Sequence, residues 1–93
     1  MENQHRKISG YRELSQAEID LMNEIKALGP QIESVIEKVK DHIQGQHRWS
    51  VNNPDEQDRL EDSTPERFAA LAKTDFQTAL MYLTRAVAQP TFF

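Results

Sequence analysis

Four prolines, at positions 30, 54, 65 and 90, cut this chain into lengths whose apolar residues recur at helical spacing. Proline lacks an N–H and clashes with the preceding turn, so it stands at helix ends or first turns far more readily than inside. Ser15-Gln-Ala-Glu18 has the form of a capping box, in which the serine hydroxyl and glutamate carboxylate each satisfy the other's backbone N–H. Leu21, Met22, Ile25 and Leu28 follow at helical spacing, and Gly29-Pro30 is expected to end or sharply bend this helix 1, 15–29. Pro30 then opens helix 2, 30–49, with an apolar stripe of Ile32, Val35, Ile36, Val39 and Ile43. His42 and Trp49 extend the seven-residue spacing from Val35, so helix 2 is expected to pass through Gly45 despite a cost of about 1 kcal/mol.

Residues 51–64 are the most polar part and read as a connection. Asn53-Pro54 is able to start one or two helical turns there. Thr64-Pro65-Glu66 is a stronger start, and helix 3 should run over 65–88, before Gln89-Pro90. Its apolar set (Phe68, Leu71, Ala72, Phe76, Ala79, Leu80, Leu83, Ala86, Val87) is wider than one antiparallel neighbour needs. That width points to contact with another subunit. There is no useful strand-like alternation, no internal repeat and no low-complexity tract. The expected fold is all-α: one domain over 1–93, with a basic N-terminal arm (1–14), a short first helix, an antiparallel pair of longer helices, and a tail (89–93). It is expected to assemble into a compact homo-oligomer.

The chain has 93 residues and no cysteine. A domain of this size leaves about 35–40% of its unfolded-state surface exposed, so oligomerisation is the natural way to enlarge the core. Fifteen acidic against eleven basic residues leave a net charge of −4, which argues against general binding of DNA or RNA. No apolar run is long enough to span a membrane, and the charged N-terminus lacks the apolar region of a signal peptide. The expectation is a soluble cytoplasmic protein.

Catalytic chemistry finds little purchase. His5, His42 and His47 lack zinc-site spacing. Asp55, Glu56, Asp58, Glu61 and Asp62 lack the glycine turn and ligand order of a calcium loop, and read as a solvated patch. Ser50, Ser63 and Thr64 have no evident base. Gly10, Gly29 and Gly45 are isolated and make no phosphate loop. No enzyme, metal site or cofactor is expected. What stands out is a cluster of His5, Arg6, Lys7, Gly10, Tyr11 and Arg12, followed by Lys26 in helix 1. Glycine admits close backbone approach, tyrosine can stack on a base, and lysine and arginine can neutralise phosphate. Core packing of Tyr11 and simple solvation of Lys26 are the competing accounts.

The segment HRKISGYRELSQAEIDLMNEIKALG resembles the N-terminal signature of the anti-CBASS cyclic-nucleotide sponges, small phage proteins that sequester cyclic oligonucleotides. AALAKTDFQTALMYLTRAVAQPTFF resembles the closing helix and tail of the same family. The resemblance implies a helical homohexamer, a trimer of dimers, in the cytoplasm of an infected bacterial host. Such a protein holds cyclic dinucleotides such as 3′,3′-cGAMP intact and so blocks CBASS immune signalling. It further implies that Tyr11 stacks on a base and Lys26 contacts phosphate, with Gly10, Arg12 and Lys7 around them. Arg67 is the candidate for a second, cyclic-trinucleotide pocket, whose other family position falls near Leu28 and has no polar side chain here. The competing class is a helical interaction module that binds a host protein through its apolar faces, with no nucleotide ligand.

Overall fold

A computed structural model describes residues 13–92. Three helices account for most of them: α1 (Gln16–Trp49), α2 (Pro54–Ser63) and α3 (Pro65–Ala88), with no strand among the described residues. The capping box forms at the start of α1. The Glu18 N–H donates to Ser15 Oγ at 3.2 Å, and the Ser15 N–H donates to Glu18 Oε1 at 2.8 Å.

The expected break at Gly29-Pro30 does not occur. Helices 1 and 2 of the sequence reading are one helix of 34 residues, with Pro30 inside it. A proline disfavours helical geometry in the residue before it, largely through a clash with that residue's Cβ. Gly29 has no Cβ, so the pair that looked like a stop is also the pair that lets a helix continue through proline. The cost remains local: Pro30 supplies no N–H to the Lys26 carbonyl one turn back.

The polar connection needs the opposite correction, because ten of its residues form α2. Asn53 caps it, with Oδ1 accepting from the Glu56 N–H at 3.2 Å, and Pro54 occupies the first turn. Arg59 forks onto the Glu56 carboxylate one turn away, and Leu60, only 3% exposed, anchors the other face. Ser50 turns the chain out of α1. Its N–H donates to the Gln46 carbonyl at 3.0 Å and its hydroxyl to the His47 carbonyl at 2.9 Å. Thr64 alone joins α2 to α3, in the left-handed region at φ 46°, and its N–H closes α2 on the Leu60 carbonyl. Its own carbonyl accepts the Phe68 N–H at 3.4 Å, opening α3 as the Thr-Pro-Glu motif predicts.

The chain divides into two compact units. One spans Pro30–Phe76. The other joins the segment ending at Gly29 to the segment beginning at Gln77. Among the described residues, the four buried apolar ones (Ile36, Ile43, Leu60 and Ala69) lie in Pro30–Phe76. On α1 the buried line is Ile36, Ile43 and Ser50; Ile36 and Ile43 belong to the expected stripe, whereas the line of Val35, His42 and Trp49 is exposed. The two lines share the seven-residue spacing but differ by one residue, roughly 100° around the helix. Trp49 is accordingly 87% exposed. In the other unit no described residue is fully buried; Met22, Ile25, Leu80 and Val87 are half-buried. On α3 the broad expected stripe is mostly outward, with Phe68, Leu71, Phe76 and Leu83 exposed and Ala69 inward.

Two measurements check this description. Pro30→Ala restores the missing helical bond, so it should stabilise the protein by about 1–3 kcal/mol in urea unfolding; a broken helix at 29–30 would show no such gain. In Pro30–Phe76, His47 Nε2 lies 2.6 Å from Glu66 Oε2. Glu66 is held below the ordinary 4.5, chiefly by its own backbone N–H at the start of α3 and further by His47. A lowered carboxylate pKa contributes stability above the ordinary value and loses it as pH falls through the folded value. Glu66→Gln should therefore flatten the fall in thermal midpoint below pH 4.5, with wild type and variant converging at the acid end.

Candidate ligand cleft

The unit built from the first half of α1 and the second half of α3 carries a cleft of about 610 Å³. Met22, Asn23, Ile25 and Lys26 reach it from α1, at the three- and four-residue steps that share one helix face. Leu80, Met81, Thr84, Arg85 and Ala88 reach it from α3 by the same steps, and Pro90 adds a wall from the tail. Thr84 Oγ1 donates to the Leu80 carbonyl at 2.9 Å, so its hydroxyl is committed within its own helix. The result is a mainly apolar trough with two cations, Lys26 and Arg85, and no carboxylate among its described lining residues. On a chain of net charge −4 this is a local reversal of sign. An apolar floor with a few charged groups is the usual make-up of a small-molecule site.

The tail reaches the cleft through a tight reversal. Gln89 sits in the left-handed region at φ 53°, and its N–H donates to the Arg85 carbonyl at 2.8 Å, closing α3. Pro90 cannot prolong the helix. The returning strand of chain then offers the Phe92 carbonyl to Arg85 Nη2 at 2.9 Å. Sequence reading passes over Arg85, because a basic residue in the last turn of a helix is ordinary complementation of the helix dipole. The only local hint is the Gln89-Pro90 stop four residues later.

Of the residues singled out from sequence, Lys26 lines this cleft. Tyr11, Gly10, Arg12 and Lys7 lie outside the described residues. Leu28 is 39% exposed and does not line the cleft. Arg67 belongs to the other unit, where it borders a smaller cleft of about 410 Å³ with His47, Ser50, Thr64, Glu61 and Glu66. Its guanidinium lies 5.7 Å from the Phe68 ring centroid, a cation–π arrangement. Two carboxylates beside one arginine make that cleft less favourable to an anion than the one with Lys26. Among the described residues no group of His, Asp and Glu could hold a metal ion. Ser50 Oγ donates to a backbone carbonyl rather than to a base, which is a capping role.

Comparison with known proteins bears on the whole chain. The sequence profile of the Acb2/Tad1 hairpin domain matches residues 5–88. Anti-CBASS protein 2 of Pseudomonas phage JBD67 is 40% identical over 105 aligned positions, covering 97% of this chain and 97% of its own. The span 5–88 takes in Tyr11, Lys26, Arg67 and the residues of both clefts except Pro90. As its terminal signatures imply, the chain belongs to the Acb2/Tad1 hairpin family of phage anti-CBASS proteins.

Proposed function

We propose that this protein is a phage-encoded sponge that binds cyclic dinucleotides such as 3′,3′-cGAMP without degrading them. It thereby starves the CBASS effector of its messenger in the cytoplasm of the infected bacterium. The observation that carries this reading is the position of Lys26. Lys26, the lysine to which the resemblance assigns phosphate contact, lines a cleft of about 610 Å³ with mainly apolar walls, a second cation and no carboxylate among the described lining residues. A volume of this order suits a small molecule, and the charge suits an anion. Tyr11 would stack on a base and Lys26 would neutralise phosphate, with Gly10, Arg12 and Lys7 nearby. The wall formed by one subunit is open, so tight retention calls for a neighbour to complete the enclosure.

Burial argues for that neighbour. Large apolar residues including Leu21, Val35, Phe68, Leu71, Met81, Tyr82 and Leu83 are exposed on the single chain. Yet no described helix is long and apolar enough to cross a membrane. A second copy of the chain is the simplest cover. A two-fold dimer also presents Tyr11 and Lys26 twice, matching a nearly two-fold dianion. The assembly we propose is a homohexamer, a trimer of dimers, with a three-fold arrangement suited to cyclic trinucleotides through Arg67. Holding ligand at about 1 nM requires roughly −12 kcal/mol, which enclosed subunit interfaces supply more readily than an open face.

Calorimetry with 3′,3′-cGAMP should show binding below micromolar, and no heat with correctly assembled protein would refute the reading. Tyr11→Ala with Lys26→Ala should abolish binding while helix content and solution mass stay unchanged. Nucleotide recovered after denaturing the protein should be intact; linear product absent from a protein-free control would mean an enzyme instead. With Leu28 in place of a polar side chain, cyclic trinucleotides should bind at least tenfold more weakly than 3′,3′-cGAMP, a loss of about 1.4 kcal/mol.

A further inference from the structure

Arg85 occupies the Lys26 cleft under unusual restraint. Its backbone carbonyl accepts the Gln89 N–H at 2.8 Å, and its guanidinium donates to the Phe92 carbonyl at 2.9 Å. One residue thus holds the tail at two points, one on each side of Pro90. Pro90 is itself a wall of the cleft. The tail is therefore seated by the same side chain that brings the second positive charge to the site.

We propose that Arg85 is the second anion-binding residue of the Lys26 cleft, held in orientation by the tail it fastens. This rests on the sponge reading above and adds to it a residue and a structural role for residues 89–92. The physical case has two parts. A guanidinium is planar and carries five N–H donors in a fixed fork, so fastening one edge sets the plane of the others. The two cations stand on different helices, Lys26 on α1 and Arg85 on α3, which suits a ligand carrying two separated phosphates. Lysine serves as a mobile point charge and arginine as the oriented one.

The experiment is calorimetry with 3′,3′-cGAMP at two ionic strengths on four full-assembly proteins: wild type, Arg85→Gln, Arg85→Lys, and a chain ending at Thr91. Helix content and solution mass are measured on each. Arg85→Gln should weaken binding roughly 10- to 100-fold, the usual loss of a charge-assisted hydrogen bond. Its Kd should also rise less steeply with salt than that of wild type. Arg85→Lys should keep the wild-type salt dependence but bind more weakly, because the fork is lost. The truncated chain should behave like Arg85→Lys, since the charge stays and its anchor goes. If wild type binds and Arg85→Gln matches it in affinity and salt dependence, Arg85 is not a ligand residue and this inference fails alone. Truncation that leaves affinity unchanged would overturn the role of the tail. Absence of binding by wild type would overturn the sponge reading itself, and this inference with it.

Discussion

Ile36, Ile43, Leu60 and Ala69 are the whole of the fully buried apolar core among the described residues, and all four lie in Pro30–Phe76. Burying a large aliphatic side chain contributes about 1.5–3 kcal/mol, so four such positions, one of them only alanine, stabilise a 93-residue chain weakly. The rest of the structure follows from this shortage. Long helices with satisfied backbones take up most of the chain, and caps recur wherever a helix begins or ends. Ser15, Asn53 and Ser50 each satisfy a terminal backbone group. Apolar residues are left exposed on both α1 and α3.

The same shortage places the cleft. The unit that carries Lys26 and Arg85 has no fully buried described residue, so its half-buried Met22, Ile25 and Leu80 line an open trough instead of a filled core. Desolvated charge is expensive in a closed interior and tolerable at a trough. A ligand that enters such a trough gains apolar contact and meets the cations together. A sparse core and an open cleft are thus two consequences of one composition.

Much of this was legible residue by residue, because it rests on local chemistry. Ser15-Glu18 forms its reciprocal bonds, Asn53-Pro54 starts a helix and Thr64-Pro65 starts another. Gly29-Pro30 was misread because its local signal is ambiguous: glycine before proline both suits a helix stop and removes the Cβ that would force one. The stripe on α1 was legible in part: Ile36 and Ile43 turn inward as expected, while Val35 and its heptad partners His42 and Trp49 do not. Both Val35-His42-Trp49 and Ile36-Ile43-Ser50 keep the heptad step, and only packing selects between faces roughly 100° apart. Lys26 was singled out from sequence and does reach a cleft; Arg85 was not, since its bond to Phe92 spans a chain reversal that no spacing rule describes.

By itself, then, the sequence determined helix type, most helix starts and the family, because capping, proline sterics and residue identity act within a few positions. Tertiary structure decided whether α1 continues through Pro30, which heptad face turns inward, and that Pro90, following the left-handed Gln89, lines the same cleft as Lys26 and Arg85. Those outcomes depend on which of several locally equivalent arrangements buries more apolar surface and pairs more polar groups. That comparison is made only between segments distant along the chain.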